Sequence, residues 1–156
     1  MAGIRVYADT SVYGGAFDEE FAEASRTFFD QVRRGRFHLV VSPIVDDELE
    51  NAPHLVRTLF DELRRLGEIV DVSAEVVRLQ QAYLDANIVL PRWEADALHV
   101  AVATVARCAL IVSWNFRHIV NFQKVPLYNG VNLAWGYGLV GIHSPQEVIV
   151  DENEDV

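Results

Sequence analysis

The sequence contains a single cysteine, Cys108, so the chain cannot form an internal disulfide. This fits a reducing compartment, and we expect a cytoplasmic protein. The chain also lacks an apolar run long enough to span a bilayer and has no N-terminal signal-peptide pattern, which argues against a membrane protein. Its 156 residues contain no internal repeat, low-complexity segment or linker, and this length is usual for one domain.

Positive charge is scarce, since 13 lysines and arginines face 23 aspartates and glutamates and the net charge is −10. This argues against a protein that binds nucleic acid by neutralising many phosphates. Part of the excess lies in residues 151–156, which we expect to be an acidic, solvated tail after a single domain over residues 1–150. The remaining acidity is compatible with carboxylates around divalent cations or with a basic partner protein, and charge alone does not choose between them.

Short apolar runs alternate with amphipathic segments along the chain. We predict strands over residues 4–8, 37–41, 68–72, 109–113 and 139–142. We predict helices over residues 18–34, from 43 onward, over 55–66, 74–86 and 92–107, and from 145 onward. In the third of these helices the inward face is predicted to consist of Leu55, Leu59, Leu63 and Leu66. The alternation indicates a mainly parallel sheet covered on both faces by helices.

Asp9 ends the first predicted strand and is followed by two hydroxyl side chains, Thr10 and Ser11. In open α/β sheets, ligands bind beyond the carboxyl ends of the strands. A carboxylate at this point is therefore a candidate ligand for a hard cation such as Mg²⁺. It could equally cap the next helix, and this stretch alone leaves both roles open.

The helix that begins at Pro43 contains four acids, which helical spacing separates. Glu48 shares a face with apolar residues, whereas Asp46, Asp47 and Glu50 lie on the opposite face. Acids near a helix start normally complement the helix dipole, which accounts for Asp46 and Asp47. An inward carboxylate needs a cation or hydrogen-bond donors, so we favour a functional role for Glu48.

The helix predicted over residues 92–107 is apolar nearly all round, which is typical of a buried helix, yet it contains Asp96. A buried, unpaired carboxylate is too costly to persist, so Asp96 needs a partner. That partner is either a cation in an ion pair, with Arg107 or His99, or a bound metal ion. For His99 itself we expect the role of a hydrogen-bonded histidine near the core.

Asn115 follows the strand predicted over residues 109–113 and takes the place there that Asp9 takes on the first strand. If these strands are neighbours, Asp9 and Asn115 face one crevice, where Arg117 could contact a phosphate. Asp9, Glu48 and Asp96 together supply the oxygen ligands that a Mg²⁺ or Mn²⁺ site needs. Such ions activate bound water and stabilise the attacking and leaving oxygens of a phosphodiester.

Four segments resemble the ordered motifs of the PIN domain family, and in particular the VapC-like toxins of prokaryotic toxin–antitoxin pairs. They are Tyr7-Ala8-Asp9-Thr10-Ser11-Val12, Ser42-Pro43-Ile44-Val45 running into Glu48-Leu49, Asp96-Ala97-Leu98-His99-Val100-Ala101, and Val112-Ser113-Trp114-Asn115-Phe116. The resemblance covers about residues 5–116. It implies a three-layer α/β/α sandwich, Mg²⁺- or Mn²⁺-dependent endoribonuclease activity, homodimerisation and inhibition by a cognate antitoxin.

By this resemblance, Asp9, Glu48 and Asp96 take the metal-binding positions, and Thr10 or Ser11 supplies a supporting hydroxyl. We expect Thr10, Ser11 and Arg117 to contact the RNA substrate. The family usually has a fourth acid where this chain has Asn115, which contributes an oxygen without a charge. A second cation should therefore bind more weakly.

Two other functions compete with the nuclease. One is a catalytically weak or inactive PIN-like module that acts in binding or assembly. Asn115 and the acidic net charge favour this function, and the three retained acids oppose it. A phosphatase with Asp9 as nucleophile would need a second acid two residues further on, where Ser11 stands, and is the weakest of the three.

Overall fold

A five-stranded sheet forms the centre of the fold, and all of its paired strands are parallel. The computed structural model describes residues 3–150, so the predicted acidic tail over residues 151–156 lies outside the described residues. The strands are β1 Ile4–Ala8, β2 Phe37–Val41, β3 Glu68–Ile69, β4 Leu110–Val112 and β5 Gly141–His143. Their order across the sheet is β3-β2-β1-β4-β5, which places the first strand in the middle.

Helices connect the parallel strands and complete the expected three-layer α/β/α architecture. They are α1 Thr10–Gly15, α2 Ala22–Arg33, α3 Pro43–Glu48, α4 His54–Leu66, α5 Ala74–Asp85, α6 Glu94–Val105, α7 Val125–Ala134 and α8 Pro145–Val148, with a 3-10 turn over Pro91–Trp93 before α6. Within residues 3–150, no helix is long and apolar enough to cross a bilayer.

The central strand β1 carries the core because it has a neighbour on each side and helices on each face. Val6, Tyr7 and Ala8 are at most 1% exposed. Tyr7 lies between Val40 of β2 and Ile111 of β4 in the sheet register. Asp9 directly follows this strand, so its backbone lies at a buried position.

The leucine periodicity predicts the buried face of α4 only in part, since Leu63 is fully buried and Leu59 packs against the core as expected. Leu55 and Leu66 are 61% and 56% exposed, and the buried side of the helix consists of Val56, Phe60 and Leu63. A phenylalanine buries more apolar area than a leucine, so the fully buried ring of Phe60 determines how the helix is turned.

Two element boundaries also differ from the predictions. Asp18 does not cap α2, which begins at Ala22; its carboxylate instead accepts the backbone N–H of Glu20 in the preceding turn. The third strand is confined to Glu68–Ile69, because it is an edge strand with one partner, and both of its residues are exposed.

Residues 125–149 extend the same sheet and its helical cover. The strand β5 pairs with β4. On α7, the ring of Tyr128 packs edge-to-face against Tyr83 of α5 at 4.9 Å. The end of α8 is held to α2, since Gln31 donates to the carbonyl of Val150 at 2.9 Å.

Candidate active site

The candidate site lies at the carboxyl ends of β1 and β4, the two central neighbouring strands. Ala8 is paired in register with Val112, so the next residues, Asp9 and Ser113, emerge side by side. The backbone N–H of Asp9 donates to the carbonyl of Val112 at 3.2 Å, which extends the ladder to the site. In a doubly covered parallel sheet, this edge is where ligands bind.

Asp9 is 4% exposed and is held by donors on both carboxylate oxygens. Its Oδ1 accepts from the Oγ of Ser11 at 2.5 Å and from the backbone N–H of Ser11 at 3.1 Å. Its Oδ2 accepts from the Oγ of Ser113 at 2.7 Å. Asp9 is therefore the N-cap of α1, which is one of the two roles that the sequence left open. Burial raises the pKa of its carboxyl group, against the opposing effect of His99 and the serine donors.

Glu48 ends α3 and lies at the rim of the site, with its side chain 39% exposed. Its Oε1 accepts from the Oγ1 of Thr10 at 2.8 Å and from the Nε2 of His99 at 2.5 Å. Desolvation acts to raise the pKa of this carboxyl, but the bond from His99 and the charge of that ring outweigh it and hold the pKa low. The prediction that Glu48 points inward is correct in part. Glu48 faces the buried His99, but it is not itself buried.

The other acids of α3 face away from the site, as predicted. Asp46 pairs with Arg57 at 2.5 Å and with Arg64 at 3.5 Å on the neighbouring helix α4. Asp47 is exposed. Asp46 and Asp47 thus point away from Glu48, and Asp46 has different partners.

Asp96 lies in the first turn of α6 and is only partly buried, whereas the sequence predicted a buried position inside a longer helix. Desolvation raises the pKa of its carboxyl, and the nearby charge of Glu48 adds to this effect. A hydrogen bond from the side chain of Asn115 and the proximity of His118 and His99 oppose it. Among the described residues no arginine pairs with Asp96, so the expected alternative of an ion pair with Arg107 is not observed.

Glu48 therefore lies within electrostatic reach of both other carboxylates, since it raises the pKa of Asp9 and of Asp96. In the described part of the chain, no group of three His, Cys, Asp or Glu side chains is close enough to hold an ion between them. Mg²⁺ does not require such a cage, because it keeps several waters and commonly binds one or two carboxylates. The donors present, all oxygens at a sheet edge, fit Mg²⁺ or Mn²⁺.

Asn115 lies further from Asp9 than its predicted equivalence implies, because Ser113 is the residue in register with Asp9. The Oδ1 of Asn115 accepts the backbone N–H groups of Arg117 at 3.1 Å and His118 at 2.9 Å. Its side chain also lowers the pKa of the nearby Asp96 carboxyl. In this arrangement Asn115 caps a turn, and Arg117 is exposed beside it.

Several polar residues of the site were not predicted. Ser113 and Tyr7 bond Asp9 and His99 across more than ninety positions of sequence, and no local pattern indicates such pairs. By contrast, His99, three residues after Asp96 on the same helix face, is buried and hydrogen-bonded, as the sequence predicted. His118 stacks on Trp93 at 4.6 Å between centroids, and both of its ring nitrogens are buried without a hydrogen-bond partner in residues 3–150.

Comparison with known proteins agrees with this geometry. A family model described as the PIN domain matches residues 5–117. The fold is similar to a chain in the crystal structure of VapBC2 from Rickettsia felis bound to a DNA fragment from their promoter. That match has a TM-score of 0.59 and 15% sequence identity, and covers 90% of this chain and 98% of that one. No curated protein matches the sequence. The family match spans β1 to β4 and every acid of the candidate site, and the chain belongs to the PIN domain family.

Proposed function

We propose that this protein is a divalent-metal-dependent endoribonuclease and the toxin of a toxin–antitoxin pair. PIN domain membership supports a nuclease at the coarse level. The observation that carries the proposal is the placement of Glu48 between the other two acids: its Oε1 accepts from Thr10, which follows Asp9, and from His99, one turn after Asp96. Uncompensated acids at this spacing disfavour one another, so a cation is the natural counter-charge.

In the proposed mechanism, Asp9, Glu48 and Asp96 would hold Mg²⁺ or Mn²⁺, which would supply Lewis-acid activation of a water and would stabilise charge on the phosphodiester. Asp9 is fixed by the serine donors on both of its oxygens. Ser11 orients Asp9, and Thr10 orients Glu48 through its Oε1. The exposed guanidinium of Arg117 is available to contact a substrate phosphate.

The proposed partners are a cognate antitoxin and a second copy of the chain. The structure with a similar fold is described as VapBC2, a two-component name, bound to promoter DNA. By analogy we propose that this chain also pairs with an antitoxin and forms a homodimer. Its net charge of −10 favours a basic antitoxin segment, because opposite charges speed and orient association.

A second candidate is a weak or inactive PIN-like module that acts in binding or assembly. The observation that favours it is the engagement of Asn115, whose oxygen is occupied by two backbone N–H groups. This residue then adds neither charge nor a free oxygen for a second cation. The nuclease remains the stronger proposal, because the other three acids keep their positions.

The test is incubation of the purified protein with total RNA in Mn²⁺ and, separately, in EDTA, followed by mapping of the cleaved ends. We expect cleavage in Mn²⁺, none in EDTA, and none with Asp96→Asn in Mn²⁺. Asp71→Asn, which removes the same charge at an exposed position, should cleave like the wild type. Activity of Asp96→Asn equal to the wild type would remove that residue from the mechanism, and absence of wild-type cleavage would favour the binding module.

A further inference from the structure

A line of four hydrogen-bonded side chains runs from the core to the rim of the site. The Oγ of Ser42 lies 2.8 Å from the hydroxyl of Tyr7, which lies 2.6 Å from Nδ1 of His99. The Nε2 of His99 lies 2.5 Å from Oε1 of Glu48. The first three side chains are at most 2% exposed, so the line is anchored inside the fold and ends at a half-exposed carboxylate.

The protons of this line can be assigned from its partners. With a neutral ring, Ser42 donates to Tyr7, Tyr7 donates to Nδ1 of His99, and Nε2–H donates to Glu48. With a charged ring, the first two bonds reverse direction, but Nε2–H still donates to Glu48. The bond from His99 to the carboxylate therefore keeps the same donor in both states.

The two oxygens of Glu48 are used differently. Oε1 accepts from both His99 and Thr10. Among the described residues, no donor bonds Oε2. The paired donors fix the rotation of the carboxylate, because both bonds must be satisfied at one oxygen, and the other oxygen remains available to a ligand.

We propose that His99 is a positioning residue that sets the orientation of Glu48 so that its Oε2 faces a bound divalent cation. The inference rests on the proposed metal-dependent function and adds a residue to it. Outer-shell donors to metal-binding carboxylates orient the ligand, and their loss typically weakens metal binding by about 10- to 100-fold. His99 acts here through Glu48 and does not itself contact the cation.

A purely structural role would explain the burial of His99 but not its direction. Its ring could satisfy Nδ1 within the core through Tyr7 and Ser42 alone. Instead Nε2 reaches out of the core to a side chain that solvent could hydrate. Of the acids on α3, Glu48 alone receives this bond, while Asp46 pairs with arginines on α4.

The experiment compares two variants. His99→Gln keeps a hydrogen-bond donor, whereas His99→Leu keeps the apolar volume and removes the donor. Mn²⁺ is titrated into the metal-free proteins by calorimetry, and thermal unfolding in EDTA reports stability. We expect His99→Leu to weaken Mn²⁺ binding by about tenfold or more, and His99→Gln to retain most of the affinity. Equal loss in both variants, or no loss in His99→Leu, would overturn the proposal.

A double-mutant cycle separates positioning from packing. On a Glu48→Gln background, His99→Leu should cause no further loss of Mn²⁺ affinity, although its effect on the unfolding temperature persists. An undiminished loss on that background would show that His99 does not act through Glu48 and would overturn the proposal. If His99→Leu fails to fold, His99→Met removes the same donor with a more flexible apolar side chain, and a Mn²⁺ affinity equal to the wild type would then overturn the proposal.

The same titration separates this inference from the proposed function. Wild-type protein that binds no Mn²⁺ would overturn both. Wild-type protein that binds Mn²⁺ and cleaves RNA, with binding insensitive to His99, would overturn this inference alone.

Discussion

The hydroxyl of Ser113 donates a 2.7 Å hydrogen bond to Oδ2 of Asp9, although the two residues are 104 positions apart. The parallel register of β1 and β4 creates this contact, since each residue directly follows a paired strand residue. Ser113 is fully buried and its Oγ also accepts the backbone N–H of Asn115 at 2.9 Å. One hydroxyl thus connects the candidate metal ligand Asp9 to the turn that contains Asn115.

Ser113→Ala should weaken both the fold and the site. Oδ2 of Asp9 and the N–H of Asn115 lose their partner, and an unsatisfied buried group costs about 1–3 kcal/mol. Without this donor the pKa of Asp9 should rise further, so Mn²⁺ competes with a proton more poorly. Urea unfolding and calorimetric Mn²⁺ titration measure the two effects.

Ser25→Ala is the matched control, because Ser25 is also fully buried and accepts a hydrogen bond, from the indole of Trp114 at 2.8 Å. It should lower the free energy of unfolding and leave Mn²⁺ affinity close to the wild-type value. If both variants changed the affinity equally, the contact between Ser113 and Asp9 would have no particular role in metal binding.

Asp9→Asn should abolish Mn²⁺ binding and RNA cleavage without destabilising the metal-free protein. Burial disfavours the charged carboxylate, and an amide has nearly the same shape, with an oxygen for Ser11 and a donor for Ser113. Because the pKa of Asp9 is raised on folding, ionisation destabilises the fold once the pH passes its unfolded value near 3.8. The variant should therefore equal or exceed the wild type in stability at neutral pH.

That stability difference should vanish below pH 3.8, where Asp9 is protonated in both folded and unfolded chains. Urea unfolding in EDTA at the two pH values tests this sign. A variant that is less stable than the wild type at neutral pH would mean that the serine donors more than compensate for burial of the charge.

Continuous apolar runs made the central strands predictable. β1 and β2 have the bounds expected from the sequence, because buried parallel strands are apolar on both faces. The face of α4 was not predictable, since apolar residues lie on two adjacent stripes and only packing shows that Phe60 is the buried one. Local patterns thus identify elements more reliably than they identify which side of an element is buried.

The sequence singled out the acids of the candidate site, but it did not indicate their surroundings. Helical spacing separated Glu48 from Asp46, and the structure confirms that the two face different partners. The role of Ser113 depended on strand register, which a single sequence does not determine. The same holds for the contact between Tyr7 and His99, which joins a strand to a helix 92 positions away.

Glu68→Gln should lower the free energy of unfolding at neutral pH and should change it little in acid. The carboxylate of Glu68 accepts from Arg5 at 2.8 Å and from His38 at 3.1 Å, and these bonds lower its pKa from 4.5 to about 2. Its stabilising effect is therefore complete above pH 4.5 and is lost as the pH falls through about 2. Since the pair is exposed and screened, we expect less than about 1 kcal/mol at neutral pH.

Urea unfolding across this pH range measures the effect, with the exposed Glu19→Gln as control. A cost for Glu68→Gln that stays constant between neutral pH and pH 2 would contradict the ion-pair origin of the shift. Salt should reduce the neutral-pH cost, because exposed charges are screened.

Asn115→Asp should tighten Mn²⁺ binding and destabilise the metal-free protein. An aspartate can still accept the N–H groups of Arg117 and His118, but it adds a second negative charge near Asp96. Neighbouring like charges typically repel by roughly 1–4 kcal/mol, and a bound cation offsets that repulsion. The Mn²⁺ affinity measured by calorimetry should therefore rise, and the free energy of unfolding measured in urea and EDTA should fall. Asn51→Asp, which adds the same charge at an exposed position, should change neither quantity by a comparable amount. Mn²⁺ binding that is unchanged or weaker in Asn115→Asp would mean that this side chain stands outside the ion's reach, and that the site depends on Asp9, Glu48 and Asp96 alone.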